Sequence, residues 1–282
     1  MGSDQPITAY DVAVPEKQKQ NLPGLDRKIE RAGLEYSRLE EWDEEGNPHL
    51  VEYQGAGKLK NKAILVTGGD SGIGRATAIA FAREGASGIT ITYLPEEEAD
   101  ARDAKKDIEA SGAKVVTVKV DLINEADCKR VVDEHVKAFG RVDVLVNNAS
   151  KQVINSDFAT IDLQEVHNTF QANILQMITT TKYALPHMKR GSAIINTTSV
   201  TAYKGSASLI DYSSTKGAIV TFTRSLALQL APKGIRVNAV APGVVITALQ
   251  AGSRGAEDME GLGLGIPLLN RGAQPAEMAP TY

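Results

Sequence analysis

From residue 59 onward the chain alternates short β-branched runs with longer stretches of helical spacing, and no other feature restricts its fold as much. The segments 62–67 (KAILVT), 88–93 (GITITY), 114–120, 142–146, 193–196 and 235–240 are apolar runs too short for helices and read as strands. Between the first two, Ile73, Ala76, Ile79 and Ala80 fall on one helical face, predicting a helix over 72–84. Segments 96–110, 125–139, 163–188 and 212–230 read as helices in the same way. A strand that is apolar on both faces must be covered on both faces. The order therefore predicts an α/β fold, a doubly wound parallel sheet with right-handed crossovers. With 282 residues, one domain of this kind has a full core.

Residues 1–57 differ from this body, predicted over 58–282. They hold Pro6, Pro15, Pro23, Pro48 and an acidic cluster, Glu40, Glu41, Asp43, Glu44 and Glu45. Without sustained apolar periodicity they read as an irregular arm with a short helix near 25–31. The arm is either a disordered tail or a strap wrapped on the body, with Trp42, Leu50, Val51 and Tyr53 as its anchors.

A formal net charge of −4 gives no basic surface for nucleic acid or anionic membrane. Cys128 is the only cysteine, so no intrachain disulfide forms; a reducing, cytoplasmic setting is expected. No apolar run reaches the roughly 18 residues that span a bilayer, and the N-terminus lacks the basic and apolar regions of a secretory signal. The four histidines show no ligand spacing, so no metal is expected.

The chemistry gathers where the strands end. The first strand runs into Thr67-Gly68-Gly69-Asp70-Ser71-Gly72-Ile73-Gly74, a Gly-rich turn opening a helix. Such a turn lets a pyrophosphate approach the backbone, and the helix start offers free N–H groups to it. The spacing of Gly68, Gly72 and Gly74 departs from G-x-G-x-x-G. Asp121 follows the third strand; its carboxylate either accepts from an adenine amino group or caps the helix beginning near Asn124. Asn147, Asn148 and Ala149 follow the fourth strand, at the edge where open α/β sheets bind ligands. Ser199 lies just past the fifth. Tyr212 and Lys216 stand one helical turn apart on one face, where an ammonium would lower the phenol's pKa toward neutrality. Asn173, midway along a long helix, is placed to bond a water that relays protons to Lys216.

Taken together, Thr67-Gly68-x-x-x-Gly72-x-Gly74, Asn147-Asn148-Ala149, Asn173, Ser199 and Tyr212-x-x-x-Lys216 resemble the short-chain dehydrogenase/reductase family. Within it, GGDSGIGRA, INTTSVTAYKG and LIDYSSTKGAIV look most like the glucose/ribitol-dehydrogenase-like group. The resemblance implies a Rossmann-like fold and hydride exchange between NAD(P) and a carbonyl or alcohol. Tyr212 would be the acid/base, Lys216 would lower its pKa and bind the nicotinamide ribose, Ser199 would orient the carbonyl, and Asn173 would join a proton relay. Pro242, Gly243 and Thr247 fit the family's nicotinamide-side loop. The expected cofactor-binding set is Gly68, Ser71, Gly72, Ile73, Gly74, Tyr93, Asp121, Leu122, Asn148, Ala149, Tyr212, Lys216, Pro242, Gly243, Val245 and Thr247. A dehydratase or isomerase on the same scaffold, or a nucleotide-sensing binding protein, are the competing readings.

Three further expectations follow. The second strand ends Thr92-Tyr93-Leu94 without the acid that pairs with the ribose of NAD, which slightly favours NADP(H) over NAD(H). Residues 244–266 occupy the family's substrate lid, and five glycines there predict mobility. The sequence reaches Tyr282 before the family's last strand, so the expectation is either a sequence cut short there or an absent strand with the sheet edge altered. The partner is a small carbonyl or alcohol substrate. The helices 163–188 and 212–230 are expected to pair two copies, as a dimer or within a tetramer.

Overall fold

Each expected strand forms because its residues can be buried on both sides at once. In a computed structural model, which describes residues 8–10, 34–253 and 270–282, the body begins with β3 (Ala63–Val66), after a hairpin of β1 (Arg38–Trp42) and β2 (Pro48–Glu52). There follow α1 (Gly72–Arg83), β4 (Gly88–Tyr93), α2 (Glu98–Ala110), β5 (Lys114–Lys119), α3 (Glu125–Phe139) and β6 (Val144–Asn147). The second half comprises α4 (Leu163–Phe170), α5 (Gln176–Ala184), β7 (Ala193–Thr197), α6 (Thr201–Lys204), α7 (Ile210–Leu230), β8 (Arg236–Val240) and α8 (Ala248–Ala251).

The sheet has six strands in the order β5-β4-β3-β6-β7-β8, every pairing parallel. The chain starts at the centre, winds out to β5, then returns to β6 on the other side of β3. This reversal opens a crevice at the carboxyl ends of β3 and β6. Successive side chains of β3 enter opposite cores. Ile64 and Val66 join Ile79, Phe81, Ile89 and Ile108 under α1 and α2, while Leu65 joins Val131, Leu145, Ile194 and Leu230 on the other face. Burying one such side chain contributes about 1.5–3 kcal/mol.

The doubly wound sheet thus matches the sequence reading, with strand ends shifted by a residue or two. The long helix expected over 163–188 differs. It is α4 and α5 joined by a π-helical turn, Gln171–Leu175, and it closes on a 3₁₀ turn, Leu185–His187, at Pro186. The widened turn carries Asn173, as such turns often carry functional residues.

Part of the segment expected to be irregular is ordered. β1 and β2 pair antiparallel around a turn in which Asp43 accepts from the Asn47 N–H at 2.7 Å and Gly46 takes a φ of +80°. Neither strand buries a whole face, so the sequence shows no alternation to find. Of the anchors suggested, Tyr53 serves: its hydroxyl donates to Glu84 at 2.5 Å, whereas Trp42 is half exposed. Tyr36 stacks on Arg75, 4.4 Å from ring centre to guanidinium carbon.

The hairpin is fastened by residues 270–282. Arg271 pairs with Glu40 at 3.3 Å and with Glu277 at 2.7 Å, lies over the ring of Tyr10, and is almost wholly buried. The Glu35 carbonyl accepts from Ala276 at 3.0 Å, and its N–H donates to Gln274 at 3.1 Å. Among the described residues β8 is the sheet edge, where the resemblance places a further strand. The helix expected near 25–31 and positions 254–266 of the expected lid lie outside the described residues.

Candidate active site

The crevice at the switch point is built by side chains that tie one strand end to the next. Thr67 Oγ1 accepts from the N–H groups of Asn148 at 2.9 Å and Ala149 at 3.1 Å. Asn148 returns its amide to the carbonyls of Gly68 at 2.9 Å and Thr67 at 3.2 Å. One layer deeper, Asn147 donates to Thr181 at 3.0 Å and Asn196 at 2.9 Å, and Asn196 donates to Thr223 at 2.9 Å. These four buried residues join β6, β7, α5 and α7 and fix the strand ends relative to the two helices, with Asn147 Oδ1 left without a partner among the described residues.

The Gly-rich turn fits a phosphate group. Gly68 and Gly72 take φ of +61° and +51°, conformations that side chains resist. A Cβ on Gly74 would stand 2.0 Å from the Gly68 carbonyl and 2.7 Å from Asn148 Nδ2. The start of α1 has no side-chain cap and no acid in its first turn. The N–H groups of Ile73 and its neighbours are therefore left for an anion. Arg75 turns away from this point and pairs with Asp107 at 2.5 Å.

On the facing side, Ser199 follows β7, and Tyr212 and Lys216 project from α7. All three are buried. Ser199 accepts from the N–H and hydroxyl of Thr201, each at 3.1 Å, and stands close enough to the Tyr212 hydroxyl to ease its ionisation. Burial pushes the Tyr212 phenol up to about 12, against a smaller opposing effect of Ser199. Lys216 is 1% exposed; its ammonium donates to the Thr197 carbonyl at 2.9 Å and lies 5.2 Å from the Tyr212 ring centre. Burial pushes it down to about 7. The spacing placed the two on one face correctly. The expected lowering of the phenol is not what this geometry gives, because loss of water dominates at both groups.

Asn173 has no capacity left over. Its amide donates to the Lys151 carbonyl at 2.8 Å and Thr215 at 3.0 Å, and its oxygen accepts from the Lys151 N–H at 2.7 Å and Ser150 at 3.2 Å. The side chain thus holds the loop after β6 against α7.

The other expected residues surround the crevice. Asp121 accepts from Ile123 N–H at 3.2 Å in a local turn and does not cap α3, whose N-cap is Asn124, and Leu122 is buried in the core. Tyr93 is buried with its hydroxyl on Glu98 at 3.2 Å. The Pro242 carbonyl accepts from Val200 N–H at 3.0 Å, tying that loop to the Ser199 segment, while Gly243 faces open space. Val245 is buried and bridged to Ala273. Thr247 leans over the Gly-rich turn, 3.3 Å from where a Cβ on Gly72 would lie. Sequence reasoning passed over Thr197, Gln152 and Asp70. Gln152, buried, donates to Ser253 at 2.6 Å and Gln250 at 3.2 Å, fastening the first part of the expected lid.

Comparison with known proteins bears on this arrangement directly. The model of the short chain dehydrogenase family matches residues 62–258. NADPH-dependent aldehyde reductase 1, chloroplastic, of Arabidopsis thaliana is 50% identical over 251 residues, covering 84% of this chain and 86% of the relative. The glucose and ribitol dehydrogenase of Daucus carota is 42% identical over 275 residues, covering 95% and 89%. A short chain dehydrogenase from Burkholderia cenocepacia J2315, crystallised in complex with NADP, superposes with a TM-score of 0.72 at 30% identity, covering 79% of this chain and 89% of its own. The chain is an oxidoreductase and belongs to the short-chain dehydrogenase/reductase family.

Proposed function

We propose that the chain interconverts a carbonyl and its alcohol with Tyr212 as the acid/base. The observation that carries this reading is the burial together of Ser199, Tyr212 and Lys216, with the Lys216 ammonium 5.2 Å from the Tyr212 ring centre. Ser199 and Tyr212 together would hold the substrate oxygen, and Tyr212 would give up or take back its proton. Lys216, pushed to about 7, sits where a small change of surroundings decides its charge. When it carries the proton, its field makes the neighbouring phenolate cheaper. Asn173 acts as a positioning residue, fixing the loop that carries Ala149 and Ser150.

Gly68, Ser71, Gly72, Ile73 and Gly74 would receive the pyrophosphate, and Asn148, Ala149, Lys216, Pro242, Gly243 and Thr247 would flank the nicotinamide half. The dinucleotide supplies or takes up the hydride. NADP(H) is slightly favoured by the strand end Thr92-Tyr93-Leu94 and by the relatives' named coenzymes. Those relatives' names also point to small aldehydes or polyols as the substrate class. Membership of the oxidoreductase family favours this reading over a dehydratase, an isomerase or a sensor. A fluorescence titration with NADPH and NADH, then a panel of aldehydes and sugars read at the nicotinamide absorbance, tests it. Binding without turnover across the panel would refute it.

Self-association is part of this reading. Leu163 on α4, Ile178 on α5 and Leu228 on α7 are exposed, as is Leu175 between α4 and α5. Pairing of two copies through these helices is the expected use of that apolar face. Light scattering giving a monomer mass at micromolar concentration would exclude it. Among the described residues no helix is long and apolar enough to cross a membrane.

A further inference from the structure

The ordered part of the N-terminal arm is fastened to two pieces of chain that meet at the Gly-rich turn. The first is α1, which opens at that turn. Tyr36 stacks on Arg75 in the first turn of the helix. At the last turn, Arg83 donates to the Ser37 carbonyl at 2.7 Å and pairs with Glu52. A Cβ on Gly55 would stand 2.0 Å from the Arg83 carbonyl, so the arm is pressed against the end of α1 as well as its start.

The second is the segment 244–247, which carries Thr247 over Gly72. It is stitched to Ala273, whose N–H donates to the Val244 carbonyl and whose carbonyl accepts from the Ile246 N–H, both at 2.9 Å. A Cβ on Gly272 would lie 2.8 Å from the Ile246 side chain, so the two runs of chain touch. The arm grips this stitch on both sides. Before it, Glu40 faces Arg271 at 3.3 Å with both side chains almost wholly buried. Tyr10 lies across the guanidinium, and its hydroxyl accepts from the Glu40 N–H at 2.9 Å. The Glu40 carboxylate is held in turn by the Thr8 hydroxyl and by the Ala9 N–H at 2.6 Å. After the stitch, Gln274 and Ala276 bond to the backbone of Glu35.

We infer that the arm is a brace for the nucleotide crevice, and that Glu40, acting through Arg271, is a positioning residue for nucleotide binding. The route runs from Glu40 to Arg271, along the chain to Ala273, across the stitch to Val244 and Ile246, and so to Thr247 at the Gly-rich turn. Apolar packing can often replace a buried ion pair without loss of stability, so the use of this one is to hold its two segments in a single arrangement. Without the Glu40 charge, the segment 244–247 spends part of its time away from the turn. Nucleotide affinity then falls in proportion to the molecules that still hold the binding arrangement. This inference rests on the nucleotide-binding reading above.

Fluorescence titration of the full chain with NADPH tests it, read for both affinity and the number of sites. Glu40→Gln keeps the size of the side chain and removes its charge. It is expected to weaken NADPH binding about five- to tenfold, with as many sites as the parent. A role in stability alone would lower the number of sites and leave the affinity of the rest unchanged, and that result would overturn the inference. Should Glu40→Gln fail to fold by circular dichroism, Tyr10→Phe carries the same test. It removes the bond to the Glu40 N–H, keeps the ring on Arg271, and should weaken binding about two- to threefold. Thr247→Ala checks the route: in that background Glu40→Gln, or Tyr10→Phe in its place, should weaken binding by clearly less than it does in the parent. Unchanged affinity in the folded variant, or an undiminished effect beside Thr247→Ala, would overturn the inference while leaving nucleotide binding intact. A parent that binds neither NADPH nor NADH would overturn the function reading and this inference with it.

Discussion

Lys216→Met is expected to stabilise the protein while removing its activity. The lysine is 1% exposed, and burial alone pushes it from an ordinary 10.5 to about 7. At about 1.36 kcal/mol per decade, that depression corresponds to about 5 kcal/mol charged against the native state once the unfolded chain is protonated. Relaxation and water entry reduce such figures, by roughly half. Methionine keeps the length and the packing of the stem but gives up the bond to the Thr197 carbonyl, a loss of about 1 kcal/mol. The net gain at pH 7 is therefore about 1–2 kcal/mol. The sign with pH follows from the lowered value. Between pH 7 and 10 the unfolded chain binds the proton and the native state does not, so the parent gains stability from this group as pH rises. The variant lacks that gain, and the difference between the two shrinks toward pH 10. Urea unfolding of both proteins at pH 7 and pH 9.5 measures it. A variant less stable than the parent at pH 7, with no convergence at pH 9.5, would show that Lys216 is charged and well solvated or paired in the fold, and would refute the reasoning.

Other expectations concern single contacts. Tyr212→Phe should lower turnover by roughly 10²–10⁴ and leave NADPH affinity unchanged, as read by steady-state rates beside a fluorescence titration. Gly74→Ala places a methyl group 2.0 Å from the Gly68 carbonyl, so nucleotide affinity should fall more than tenfold and stability by about 1–3 kcal/mol in denaturant titration. Arg271→Ala strips the partner from the buried Glu40 and should cost about 3 kcal/mol. Burial opposes the ionisation of Glu40, but bonds from Thr8, Ala9 and Arg271 outweigh it and hold its pKa below the usual range. The stability it contributes should be present at neutral pH and vanish as pH falls below the ordinary carboxylate range, which acid melts of parent and variant will compare.

What the sequence displayed and what it hid have physical causes. The strands at 88–93 and 193–196 were legible because both faces are buried, so the apolar run is unbroken. Tyr212 and Lys216 were legible because a helix fixes which residues share a face. The hairpin was hidden because its strands are only partly covered on either side. The fastening of Arg271 to Glu40 joins residues 231 apart, a distance over which no local pattern carries information. The π-helical turn at Asn173 was missed because apolar spacing continues across it. Depth was the least visible quantity. Lys216 and Asp70 read as ordinary charges in the sequence, and only burial shows that water has been withdrawn from both.

The central claim is that Tyr212 exchanges a proton with a carbonyl oxygen held by Ser199 while a dinucleotide occupies the Gly-rich turn. It is tested most directly by following NADPH absorbance with a small aldehyde present, in the parent and in Tyr212→Phe, with binding of NADPH confirmed for both by fluorescence. Aldehyde-dependent loss of absorbance in the parent, and its near disappearance in a variant that still binds NADPH, is the predicted result. Equal rates in the two proteins would contradict the account.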